Sequence, residues 1–148
     1  MAKQIEIVAW DHIVVRVTDI EKSLQFYKQN LGFEPEVDVE IEGEGLSKIL
    51  SGHVGREVGN AKARLVLGRV GGQLVELINY EVEDDSGLGE PGISAFTLRI
   101  ADATEAYEAC RERGLDPESE PVEIEGSRQF FISDPDGIRI ELTQPPKS

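Results

Sequence analysis

The sequence predicts an α+β domain built from two tandem β-α-β-β-β modules, and three observations carry that reading. The stretch DHIVVRVTDIEKSLQFYKQNLGFE at 11–34 returns in altered form as SAFTLRIADATEAYEACRERGLDPE at 94–118, with Asp19 falling on Asp102. Around those aspartates the apolar residues change from a period of two to the spacing of a helix. Each copy then closes on two β-rich runs around a turn, Gly71-Gly72 in the first and Pro135-Asp136-Gly137 in the second. A repeat of this kind sets the architecture before any single residue is weighed.

The elements follow in order. In IVAWDHIVVRV, Ile13, Val15 and Val17 alternate against His12, Val14 and Arg16, which describes a strand. Thr18-Asp19 supplies an N-cap, and Ile20, Leu24, Tyr27 and Leu31 form a helical apolar stripe ended by Gly32. FEPEVDVEI resumes the alternation. The segment 40–60 is rich in glycine and reads as a long loop with at most a helical turn at 46–50. AKARLVLGRV and QLVELINY form a hairpin, and the acidic EVEDDSGLGEPG links the halves. In the second half ISAFTLRIA is a strand, Asp102 caps a helix whose inward residues include Ala103, Ala106, Tyr107 and Cys110, and Gly114 ends it. LDPESEPVEIE is a broken strand, and RQFFISD with IRIELTQ makes the closing hairpin. The whole, 1–148, reads as one domain, with a first module at about 5–81, a linker at about 82–91 and a second module at about 92–144.

The halves differ in length. His12 and Glu76 stand 64 positions apart, whereas Ala95 and Glu141 stand 46 apart. The excess is assigned to the 40–60 segment, which carries His53.

Composition narrows the function classes. A net charge of −14 leaves no basic stripe to displace counterions from a phosphate backbone, so nucleic acid is not an expected partner. The single cysteine, Cys110, excludes an intrachain disulfide and reads as a small buried hydrophobe. MAKQIEIVAW lacks the apolar core of a secretory signal, and no apolar run approaches bilayer length. A cytoplasmic protein away from membranes is the expectation.

Three residues concentrate the chemistry. Glu76 and Glu141 lie mid-strand at matching places in LVELI and IRIEL, and His12 lies on the first strand. A glutamate at the centre of an apolar strand is costly to bury unless paired or bound to metal. Taken singly, each glutamate is more readily a solvent-facing strand residue and His12 a satisfied or exposed histidine; two glutamates at matching repeat positions, with a histidine on the first strand, are what point to a shared site. Arg16, Arg99, Arg128 and Arg139 are candidate clamps for an anion, and Phe96, Phe130 and Phe131 candidate walls. Ser94 is expected on the opposite face of its strand.

With these motifs the chain resembles the vicinal oxygen chelate superfamily, which includes glyoxalase I, methylmalonyl-CoA epimerase, extradiol dioxygenases and the fosfomycin- and bleomycin-resistance proteins. DHIVVRVTDIEKSLQFYKQNLGFE is similar to that family's opening strand and helix, LVELINY to its fourth strand, and FFISDPDGIRIEL to its closing hairpin. The resemblance implies a cup-shaped mixed sheet around a divalent metal ion (Zn, Mn, Fe, Ni or Co) and commonly a homodimer. It implies His12, Glu76 and Glu141 as metal ligands, and Ala95 stands where the third family ligand is expected. It further implies a small oxygen-bearing substrate and lyase or isomerase chemistry through a metal-stabilised enolate. Glu141, in preference to Glu76, would be the catalytic base, with Arg128, Phe96 and Phe131 against the substrate. Ala95 counts against an extradiol dioxygenase. It leaves open a metal-free protein that sequesters a ligand, as bleomycin-resistance proteins do.

Overall fold

A computed structural model describes residues 4–54, 56–85, 88–133 and 138–147, the side chains of 52–54 excepted. Among these residues eight strands and three helices follow in the order β1 (Ala9–Arg16), α1 (Ile20–Leu31), β2 (Glu34–Glu42), α2 (Glu44–Val54), β3 (Ala61–Val70), β4 (Gln73–Val82), β5 (Gly92–Arg99), α3 (Ala103–Glu112), β6 (Val122–Ile124), β7 (Ser127–Ser133) and β8 (Arg139–Gln144). The strands form one curled mixed sheet in the order β2-β3-β4-β1-β5-β8-β7-β6.

The repeat is visible in the pairing. β1 runs parallel to β4, and β5 parallel to β8, with Val14 opposite Glu76 and Thr97 opposite Glu141. The modules meet where β1 and β5 pair antiparallel within the same chain. That seam carries two β-bulges, one at Asp11 and one at Ser94. They are separated by the same interval as the helix caps Asp19 and Asp102, whose side chains accept the amides of Lys22 and Glu105. The interval places His12 on Ala95, and the seam pairs His12 with Thr97 and Val14 with Ala95.

Alternation divides each strand between two faces. Val17, Val75 and Leu77 face outward and pack on Ile20 and Leu24 of α1. Ile100, Phe130 and Leu142 likewise pack on Ala103, Ala106 and Cys110 of α3. The inner face holds Val14, Ala63, Ile78, Ala95 and Phe131, and there it meets α2.

The 40–60 segment departs from the loop expectation. β2 continues to Glu42, and α2 occupies most of the remainder. The glycines obscured its stripe: Leu46, Ile49 and Leu50 recur at helical spacing, and Leu46 and Leu50 are buried against the sheet. Gly45 has a packing reason, because a Cβ there would stand 3.3 Å from the Glu123 carbonyl on β6. α2 thus packs on β2 and β3 in one module and β6 in the other, lying across the mouth of the cup. The side chain of His53 and the Pro135-Asp136-Gly137 turn lie outside the described residues. Among those described, no helix is long and apolar enough to cross a membrane.

Candidate active site

A cavity of about 510 Å³ occupies the cup. Its walls are mostly apolar, including Val39, Leu46, Leu65, Ile78 and Phe131, and its polar floor is formed by β1, β4, β5 and β8.

His12 is buried on the inner face of β1. Its Nδ1 is 2.7 Å from Asp11 Oδ1. The hydrogen bond to His12 keeps the Asp11 carboxyl below its ordinary pKa, with help from Arg99, so the ring nitrogen is the donor. Arg99 holds the other Asp11 oxygen through Nε at 3.1 Å and Nη2 at 3.0 Å. Adjacent strand residues normally face opposite ways; the bulge at Asp11 lets both Asp11 and His12 line the cavity. His12 Nε2 then points at Glu76 Oε1, 3.5 Å away, and at Thr97 Oγ1, 3.2 Å away. Thr97 also donates to Glu141 Oε1 at 3.1 Å.

The electrostatics follow from burial. Burial alone would lower the His12 pKa, but the Asp11 hydrogen bond and the charges of Glu76 and Glu141 outweigh it and raise the value. Burial pushes Glu76 up to about 7, opposed by His12 and assisted by Glu141 and Asp11. Burial also raises Glu141, against the opposing effects of His12, the Thr97 hydrogen bond and Arg139. Two buried carboxyls whose pKa values are raised, beside an imidazole, suit either proton transfer or a compensating cation.

Other expected residues divide between the faces. Phe131 lines the cavity, with the Arg139 guanidinium 3.7 Å from its ring centroid and Arg139 in turn paired with Glu118. Arg128 and Phe96 do not line it. Arg128 follows the parity of Phe130, toward the α3 side, while its neighbours Ser127 and Gln129 face the cavity. Phe96 stacks on exposed Trp10, ring centroids 4.9 Å apart, outside the cup beside Ile93 and Ile138. Ser94 corrects the simple alternation in the other direction, because the second bulge brings it into the cavity wall with Ala95. Sequence reading missed Asp11, Thr97 and Tyr80. Tyr80 lines the cavity with a buried hydroxyl lacking a hydrogen-bond partner among the described residues, and Arg16 lies over its ring at 5.1 Å. Thr97 alone was legible, since it shares the strand parity of Ala95.

Among the described residues, no group of three or more His, Cys, Asp or Glu side chains is gathered closely enough for a metal ion. The donor chemistry nevertheless fits one. An imidazole oriented through its far nitrogen by a carboxylate is a common metal-ligand arrangement, and two buried carboxylates supply hard oxygens.

Comparison with known proteins identifies the family and the fold. The "Putative lactoylglutathione lyase" of Brassica oleracea var. gemmifera is 28% identical over 155 residues, covering 97% of this chain and 50% of that protein. A "Probable lactoylglutathione lyase" of Synechocystis is 28% identical over 135 residues, covering 90% of this chain and 92% of its own. The chain thus spans about half the length of its Brassica relative, and less of two Arabidopsis ones. Methylmalonyl-CoA epimerase from Mycobacterium tuberculosis shares the fold with a TM-score of 0.72 at 20% identity, covering 99% of this chain and 94% of that one. The Streptomyces coelicolor epimerase, solved with 2-nitronate-propionyl-CoA, gives 0.69 at 16% identity over 96% and 100%. A family model matches residues 9–142, and with the paired modules and the cup between them it shows that the chain belongs to the Glyoxalase/Bleomycin resistance protein/Dioxygenase superfamily.

Proposed function

We propose that the chain is a metal-dependent lyase or isomerase that moves a proton α to a carbonyl in a small oxygen-bearing substrate. The observation that carries this reading is the meeting of His12, Glu76 and Glu141 on the floor of one cavity, with both carboxyl pKa values raised. Its relatives are lactoylglutathione lyases by sequence and methylmalonyl-CoA epimerases by fold, which supports an enzyme of lyase or epimerase type. His12, Glu76 and Glu141 would hold the divalent ion, which supplies Lewis acidity toward a carbonyl oxygen when bound. Asp11 fixes the His12 tautomer so that Nε2 presents its lone pair to the cavity.

The two carboxylates differ in freedom. Glu141 is tied to Thr97, whereas Glu76 makes only the 3.5 Å approach to His12 and keeps 15% of its side chain exposed. Glu76 is therefore the better-placed base. The apolar wall from α2 excludes water from the enolate that proton removal leaves.

Metal content by plasma mass spectrometry, paired with solvent deuterium exchange at the α-carbon of a thioester or hemithioacetal substrate, tests the reading. Wild type is expected to carry near-stoichiometric metal and to exchange, and His12→Ala to lose both. Glu76→Gln should keep the fold and lose exchange. A wild type that stays empty after incubation with Zn, Mn, Fe, Ni and Co rejects the enzyme reading in favour of a metal-free ligand-binding cup. Ala95, packed among apolar side chains where a ligand is expected, is the observation that favours this second reading.

A further inference from the structure

The two modules differ most where the first carries its extra residues, and those residues hold α2. With β2 and β3, α2 walls one side of the cavity through Val39, Ile41, Leu46, Ile49, Leu65 and Leu67. Every described residue that these three elements give to the cavity is aliphatic. Strand parity explains this for β2, where Val37, Val39 and Ile41 alternate with Glu36, Asp38 and Glu40. One face takes the apolar side chains, and that face lines the cavity. The second module offers Ser127 and Gln129 at its own wall, so the two sides of the cup differ in polarity.

This wall does not complete a core. Val37 is 41% exposed although it lines the cavity, and Ile41, Ile49 and Leu65 are only partly buried. Apolar surface left open inside a cup is surface that a ligand removes from water, and the gain grows with the apolar area the ligand brings. Charge is arranged against an anion at the same place. Among the described residues, the arginines and lysines on the cavity are Arg99 and Arg139, and both are engaged. Arg99 holds Asp11, while Arg139 holds Glu118 and lies over Phe131. Neither belongs to the aliphatic wall. A carboxylate or phosphate lodged there would lose its water and meet no cation.

We propose that the part of the substrate beyond its reacting carbonyl is an uncharged, apolar body, alkyl or aryl, seated between α2 and the β2–β3 wall. This rests on the polar floor being the reacting end, as given under Proposed function, and names the substrate class that end receives. α2, which lengthens the first module, is then the element that sets specificity.

The test uses the full-length chain as purified and two derivatives of the ketone benzylacetone. One carries a para-isopropyl group and the other a para-carboxylate, so they are close in size and differ in tail charge. Calorimetry at pH 8 should show the isopropyl ketone binding at least about 10-fold more tightly. Ile49→Lys puts a cation on the same wall while its aliphatic stem keeps much of the packing. That variant should tighten the carboxylate about 10-fold and weaken the isopropyl ketone, turning the preference round. Val39→Lys serves if Ile49→Lys does not fold. Equal binding by wild type, tighter binding of the carboxylate, or binding of neither ketone overturns the proposal. So does a folded lysine variant with the wild-type preference. Deuterium exchange α to the ketone is followed in the same samples and separates the two readings. The expected preference without exchange rejects proton transfer and leaves the ligand class standing; exchange without the preference does the reverse.

Discussion

Asp11 illustrates how one residue can govern a site it does not itself complete. Its carboxylate is shared between His12 Nδ1 and the Arg99 guanidinium, so the imidazole is fixed in both tautomer and orientation. Asp11→Asn keeps the shape, removes the charge and allows the ring to turn or to change tautomer. Metal affinity, measured by competition with a chromophoric chelator, is expected to fall about 10- to 100-fold with little change in folding. An unchanged affinity would mean that His12 is held by packing alone. The repeat drew attention to Glu76 and Glu141 by giving them matching positions, and the family resemblance added His12, whose counterpart is Ala95. The sequence concealed Asp11 because period-two alternation assigns it to the face opposite His12, and only a bulge, which has no sequence signature here, reverses that. The same alternation placed Ser94 wrongly. Arg128 and Phe96 were chosen for side-chain chemistry without regard to parity, and parity carries both outside the cavity.

At the level of elements, legibility followed capping and periodicity. α1 and α3 stand out because Asp19 and Asp102 cap apolar stripes that only the outer face of the sheet can bury. α2 did not stand out, since glycines at 43, 45, 52 and 55 lower helix propensity and the helix is held by its contacts with the sheet rather than by its own sequence. One strand glycine has a different reason. Gly68 on β3 faces Phe33, and a Cβ there would come within 2.4 Å of the ring and 2.6 Å of the Glu34 carbonyl oxygen. Phe33 is a core residue, 3% exposed, and the carbonyl belongs to the paired strand β2, so neither yields easily. Gly68→Ala should therefore cost roughly 1–3 kcal/mol in chemical denaturation, despite alanine's better fit to regular structure. A neutral result would show that β2 can shift outward without loss.

The whole molecule stores an electrostatic cost that its pH dependence should reveal. Glu76 has an ordinary pKa of 4.5 and a folded value of about 7. Below 4.5 the proton is bound in both states, so burial of the neutral acid is free of penalty. As pH rises toward 7, the unfolded chain releases the proton while the folded chain retains it, and stability falls; above 7 the loss is complete. His12, whose folded pKa is also raised, acts in the same direction, because its stabilising contribution is lost as pH climbs through its folded value. Asp11 acts in the opposite direction but only in acid, where its lowered pKa lies. The metal-free chain should thus lose on the order of 2 kcal/mol between pH 5 and 8 from Glu76 alone. Glu76→Gln should flatten that slope in urea denaturation across the range. Bound metal replaces the proton as the compensating positive charge, so saturating Co²⁺ at pH 8 should raise Tm more than it does at pH 5, where protons compete for the same carboxylates. A metal-free chain whose stability is level across this range would show that water reaches Glu76 freely and that the cup does not bury its charge.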